Sequence, residues 1–226
     1  VLLAAKTDYK ETTLFVSLAR RAVELERSRC VMDLFSALVE PILDMSEWID
    51  FDISESAYPP QRIVTVAVCA GNWELSELWL LMKPELSQFA EPMARMLLTS
   101  FERRHRMYSS FGDADSSWSP DGRHRSAIEP HEQDQHPDAV GVMIDILRDC
   151  LVHLSGTRPE FFPLLLSQLT ECDMPLQRRL AVHIVNTTAH LTCNDKLAWI
   201  IDTVALDDLA AHHEIYSLLS TAFPSA

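Results

Sequence analysis

The chain has 226 residues, 47% of them hydrophobic and 23% charged, enough to bury a sizeable core and too apolar for a disordered tail. Its 33 acidic residues outnumber 19 basic ones, for a net charge of -14, so phosphate backbones are repelled and nucleic acid binding is not expected. Only 5 glycines occur, which leaves little material for phosphate-cradling loops or a series of tight β-turns.

Five cysteines, Cys30, Cys69, Cys150, Cys172 and Cys193, are an odd number without a C-x-x-C pair, which reads as reduced thiols in a cytoplasmic protein. No apolar run has the length of a membrane span, and no signal segment is apparent at the N-terminus. The chain opens at Val1 in mid-pattern, as a piece of a longer protein would.

Apolar residues recur mainly at the helical period. Leu14, Leu18, Ala22 and Leu25 form one stripe; Val31, Leu34, Leu38 and Leu43, with Phe35, Val39 and Ile42, form a second after a break near Ser28. An acidic connector ends at Pro59-Pro60. The β-branched run from Ile63 to Ala70 would suit a strand, but no partner strand is evident, and a short helix is expected there. Asn72 is read as the N-cap of a helix over Trp73 to Met82, and Pro84 and Pro92 as first-turn prolines before a helix reaching about Met107.

Periodicity then vanishes from 108 to 137, a length of loop that in compact domains is usually functional or disordered. Beyond it, Val140, Met143, Ile144, Leu147, Leu151 and Leu154 mark an amphipathic helix ending near Gly156. Thr157-Arg158-Pro159-Glu160 has capping-box spacing before a helix over Phe161 to Thr170. Asp173 is placed as the cap of the next helix, and Thr192-Cys193-Asn194-Asp195 repeats the box before Leu197, Trp199, Ile200 and Val204. A last helix carries Ile215, Leu218, Leu219 and Phe223. The expected fold is all-α, with antiparallel helix pairs stacked as an α-solenoid of HEAT or TPR type and one long irregular loop. A helical segment over 1–70 would precede the repeat domain over 71–226.

Four stretches carry a resemblance: Ser126-Ala127-Ile128-Glu129-Pro130-His131-Glu132-Gln133-Asp134, Arg178-Arg179-Leu180-Ala181, Asn194-Asp195-Lys196-Leu197-Ala198-Trp199 and His212-His213-Glu214-Ile215-Tyr216. Residues 73–226 resemble the helical, HEAT-like C-terminal region of large bacterial proteins, several of them anti-phage defence proteins, in which a sirtuin-like or NTPase domain comes first. The resemblance implies a sensing, scaffolding or oligomerising segment with a protein partner, other domains of its own chain or further copies of itself. It implies no catalytic residue and no cofactor, and no G-x-G-x-x-G or Walker motif occurs in the sequence.

The candidate contact residues are Trp118, Arg123, Arg125, Glu129, His131 and Glu132 in the loop, with Arg178 and Arg179 second. Trp118 stands out as an aromatic amid serines, and the arginine pair either meets an acidic partner or phosphate or braces neighbouring helices through Asp149 or Glu171. Trp48, Trp73, Trp79 and Trp199 are assigned to the core. The rival reading from another class is a metal-dependent hydrolase that uses His124, Glu129, His131, Glu132, Asp134 and His136 with His183 or His190. A third is an architectural spacer without partners.

Overall fold

The computed structural model describes residues 9–47, 62–110, 125–172 and 174–223. They are mostly helical: α1 (Tyr9–Glu24), α2 (Ser28–Leu38), α3 (Asn72–Met82), α4 (Leu86–Ser110), α5 (Ala139–Thr157), α6 (Phe162–Thr170), α7 (Pro175–Thr187), α8 (Cys193–Thr203) and α9 (His212–Ala222). Two strands, β1 (Pro41–Glu47) and β2 (Arg62–Val68), lie between α2 and α3. No helix among the described residues is long and apolar enough to cross a membrane.

The break foreseen near Ser28 is a tight helix stop. Arg27 N–H reaches Ala22 C=O and Glu26 N–H reaches Val23 C=O, the paired bonds of a Schellman motif. Glu26 occupies the left-handed position with φ 54°, where a Cβ is strained and glycine is preferred. Glu26→Gly is therefore expected to raise the unfolding free energy by about 0.5–1 kcal/mol, measured by urea denaturation; a decrease would mean that the Glu26 side chain contributes more than the strain costs.

The stretch from Ile63 is a strand, not a helix, and the apolar residues Ile42 and Leu43 belong to its partner and not to α2. β1 and β2 run antiparallel, with Pro41 opposite Val68 and Leu43 opposite Val66. The pairing joins residues separated by the acidic connector, so no local pattern exposed it, whereas β-branched side chains favour the pleated backbone once a partner is present. Tyr108, near the end of α4, covers the free side of β2: its hydroxyl accepts from Val66 N–H at 3.3 Å and donates to Val66 C=O at 3.4 Å.

α4 is the longest element, 25 residues or about 37 Å of helix. Pro92 is its seventh residue rather than a first-turn proline, and it removes one intrahelical N–H donor to Gln88. Asn72 is the first residue of α3 and Gly71 its N-cap, although the Asn72 side chain still accepts from Trp73 N–H. The capping box expected at Thr157 does not form: Thr157 closes α5 and its hydroxyl donates to His153 C=O. The one at Thr192 does, with Thr192 Oγ1 accepting from Asp195 N–H and Asp195 Oδ2 accepting from Thr192 N–H. Asp173 lies outside the described residues, and the N-cap of α7 is Met174.

One cluster of buried apolar side chains runs from Val16 in α1 through Phe35, Leu78, Phe101, Ile146, Leu147, Leu180 and Ile184 to Ala222 in α9. α4 packs on α5, α5 on α7, and α6 and α9 on α7, while α1 and α2 rest on α3 and α4. Trp79 is buried, whereas Trp73 is exposed and Trp48 lies outside the described residues. Cys150 is enclosed, and burial, with the Asp149 carboxylate beside it, pushes its thiol up to about 12, so it stays protonated and inert at neutral pH.

Candidate functional site

Residues 125–138, irregular apart from a 3-10 turn over Glu132–Asp134, are not loose. Ala127 and Ile128 are completely buried, and a buried irregular backbone must find partners for each N–H and C=O. Here charged side chains supply them. Arg179 of α7 donates to the carbonyls of Arg125 at 3.0 Å and Ser126 at 3.3 Å. Arg125 donates to its neighbour Ala127 C=O at 2.9 Å, and Arg148 of α5 to Ile128 C=O at 3.1 Å. Asp134 accepts from the N–H groups of Ser126 and Ala127. Glu214 of α9 accepts from Ile128 N–H at 2.9 Å.

Those side chains are themselves joined. Glu214, 3% exposed, meets Arg179, 6% exposed, through two bonds of 2.8 and 3.0 Å, a bidentate pair wholly inside the protein. Arg125 and Arg148 share the Asp145 carboxylate, and Arg125 also donates to Gly141 C=O at 3.0 Å. Arg148 and Lys83 hold the two oxygens of Asp149. Burial alone would raise the Asp149 carboxyl, but the Lys83 ammonium and the Arg148 guanidinium outweigh it and hold the group below the usual carboxylate range. The result is a clasp of three arginines that fastens the segment across α5, α7 and α9.

Two of the contact candidates, Arg125 and Arg179, are buried and bonded to internal acceptors. Arg178 pairs with Asp208 at 2.9 Å. The arginine pair braces helices, as one expectation had it, but through Asp208 and Glu214 and not Asp149 or Glu171. Glu129 lies half-exposed, with its carboxylate 3.1 Å from His213 Nε2, and the His131 ring sits edge-on to that of His213 at 6.1 Å. His131 Nδ1 accepts from Gln133 N–H at 3.2 Å; Glu132 is exposed. Trp118, Arg123 and His124 lie outside the described residues.

Among the described residues no group of three or more His, Cys, Asp or Glu side chains is arranged to hold an ion. His183 is enclosed in the core, where burial first and the Arg148 cation second lower its pKa to about 4 against the pull of Glu129, Glu214 and Asp149. His190 packs edge-on against Phe162 at 4.8 Å.

Asp145, Arg148 and Glu214 were not among the candidate residues of the sequence. A signal was present: Glu214 stands four residues before Leu218 and eight before Ala222, on the buried stripe of α9, and an acid on such a stripe requires a partner.

A second feature is open to solvent. α4, the end of α5 and α6 enclose a groove of about 720 Å³ with Ala94, Leu98, Leu154, Phe161 and Leu165 among its walls and the exposed Leu164 at its edge.

The fold and these features define a mostly α-helical protein with a buried polar clasp and a solvent-facing groove. Compared with protein-family models, curated proteins and solved structures, the chain matches none.

Proposed function

We propose that this chain is a non-catalytic interaction module of helical-repeat type, which senses, scaffolds or assembles through its surface. The observation that carries the reading is the placement of large apolar side chains in water. Of the eleven exposed among the described residues, eight lie in or beside α1, α8 and α9: Leu14, Leu18, Leu25, Ile201, Leu206, Leu209, Tyr216 and Phe223. Stacked helix pairs bury their faces only against neighbours, so the outer faces of such an array are where a partner, another copy or a further segment of the same polypeptide docks. In a bacterial defence-type protein, the setting that the resemblance implies, the module would present this surface to a trigger or to its own effector domain.

The charged residues best placed for chemistry support the same reading, because Arg125, Arg179, Glu214 and Asp145 spend their hydrogen bonds on the fold. Native mass spectrometry across a range of concentrations, before and after chelation, tests it. Concentration-dependent assembly that is lost in a Tyr216→Ser, Phe223→Ser double variant is the expected result. A stoichiometric metal that chelation removes would overturn it in favour of the hydrolase.

A further inference from the structure

We infer that the groove between α4 and α6 receives an amphipathic helix with basic residues flanking its apolar face. The inference rests on the interaction-module reading and names the partner's chemistry for one surface.

The walls come first. Ala94 and Leu98 of α4, Leu154 of α5 and Leu165 of α6 are nearly inaccessible and form an apolar floor, while Leu164 is 61% exposed beside them. An isolated exposed leucine needs no explanation, but one at the edge of an apolar trough offers a partner continuous hydrophobic surface. Both sides of the trough are α-helices, whose main-chain groups are already bonded within the helix. A strand therefore has no edge to pair with, and recognition must run through side chains, as when an amphipathic helix lies in a groove.

Charge selects the kind of helix. Three carboxylates line the groove: Glu91, Glu102 and Glu171. Glu91 holds two cations, Arg95 at 3.0 Å and Arg158 at 2.5 Å, one more than its own charge balances. Glu171 accepts a bond from the Ser167 hydroxyl at 2.5 Å, and neither it nor Glu102 meets a cation among the described residues. Three carboxylates against Arg95 and Arg158 leave the groove one net negative charge, which in a chain of net charge -14 favours lysine or arginine at this groove over anionic lipid or nucleic acid.

The probe is a fluorescent synthetic helix built of leucine and lysine, with a leucine and glutamate counterpart, followed by anisotropy at low and physiological salt. The wild-type chain is expected to bind the lysine peptide and not the glutamate one. Leu164→Ser removes one apolar anchor and is expected to weaken binding about tenfold, whereas Leu164→Met keeps it. The Glu102→Gln, Glu171→Gln pair is expected to weaken it roughly two- to fivefold at low salt and to flatten its salt dependence. Leu164 is exposed, so unchanged circular dichroism melts certify the fold of these variants. Equal binding by Leu164→Ser and wild type, or equal binding of both peptides, overturns the inference. If Tyr216→Ser, Phe223→Ser abolishes binding while Leu164→Ser does not, the groove assignment fails and the interaction module stands. If no binding is seen at all, the groove assignment falls, and the module is judged by its assembly in the mass spectrometer.

Discussion

Glu214→Ala is expected to lower the unfolding free energy by about 3–5 kcal/mol, because it leaves the Arg179 guanidinium buried without its counter-charge. It also orphans Ile128 N–H, a buried donor whose only partner is Glu214 Oε1. For a chain of this size, where each kcal/mol moves the melting temperature by about 2–4 °C, the melting temperature should fall by roughly 6–20 °C. Arg179→Ala is expected to cost a similar amount, since it strands Glu214 and removes the donors to the carbonyls of Arg125 and Ser126. The two losses should not add. The double variant retains no uncompensated charge, and a double-mutant cycle should give a coupling of about 1–3 kcal/mol. Urea denaturation of the four proteins measures all of it, and a Glu214→Ala loss below about 1 kcal/mol would mean that water reaches the pair and the clasp is not closed.

Stability is expected to fall between pH 7 and pH 4 in a way that traces to His183. The folded histidine titrates at about 4 and an unfolded one at about 6.5, so the unfolded chain takes up the proton first on acidification. The contribution of the neutral, buried ring is therefore complete above the unfolded value and is lost as the pH falls toward the folded one. Below that value the native state is protonated too, and the slope ends. The full effect is roughly 2–4 kcal/mol. Carboxylates begin to titrate near the bottom of this window, so the decisive comparison is wild type against His183→Gln between pH 6.5 and 5. The wild-type protein should lose stability across that interval and the variant should stay nearly flat; parallel slopes would show that His183 exchanges protons freely in the folded state.

What the sequence made legible follows how far apart the interacting residues are. Helix positions from α5 onward could be read because Val140, Met143, Ile144 and Leu147, or Leu176, Leu180 and Ile184, repeat at a period that each helix imposes on itself. The Thr192 box was readable for the same reason, since cap and box partner stand three residues apart. β2 was not, because its backbone is satisfied by Pro41–Glu47, across a connector whose sequence carries no Asn-Gly or Asp-Gly hairpin signal. The turn at Thr157 misled because proline at 159 and acid at 160 mimic an N-terminus, whereas α6 starts only at Phe162 and takes Pro163 in its first turn.

The candidate site was legible only as a place. The loss of periodicity over 108–137 marked a functional or disordered loop, whereas within it Ala127 and Ile128 are fully buried. Which arginines face inward depended on Glu214 and Asp145, acids on other helices that no spacing rule connects to Arg179 or Arg125. Without those partners, an arginine at the start of a helix reads as a surface residue.

The clasp also sets an order of events during synthesis. Ile128 waits for a bond to a residue 86 positions later, and at roughly 5–20 residues per second a ribosome needs several seconds or more to deliver it. During that interval α5 and then Arg179 of α7 are added, and until Glu214 arrives the N–H of Ile128 and the Arg179 guanidinium lack their common acceptor. The clasp at the middle of the described fold is thus completed only when α9 emerges. Premature termination before α9 would remove few apolar contacts from α3 to α5, yet it would leave the central segment unlocked and open to capture by chaperones or proteases.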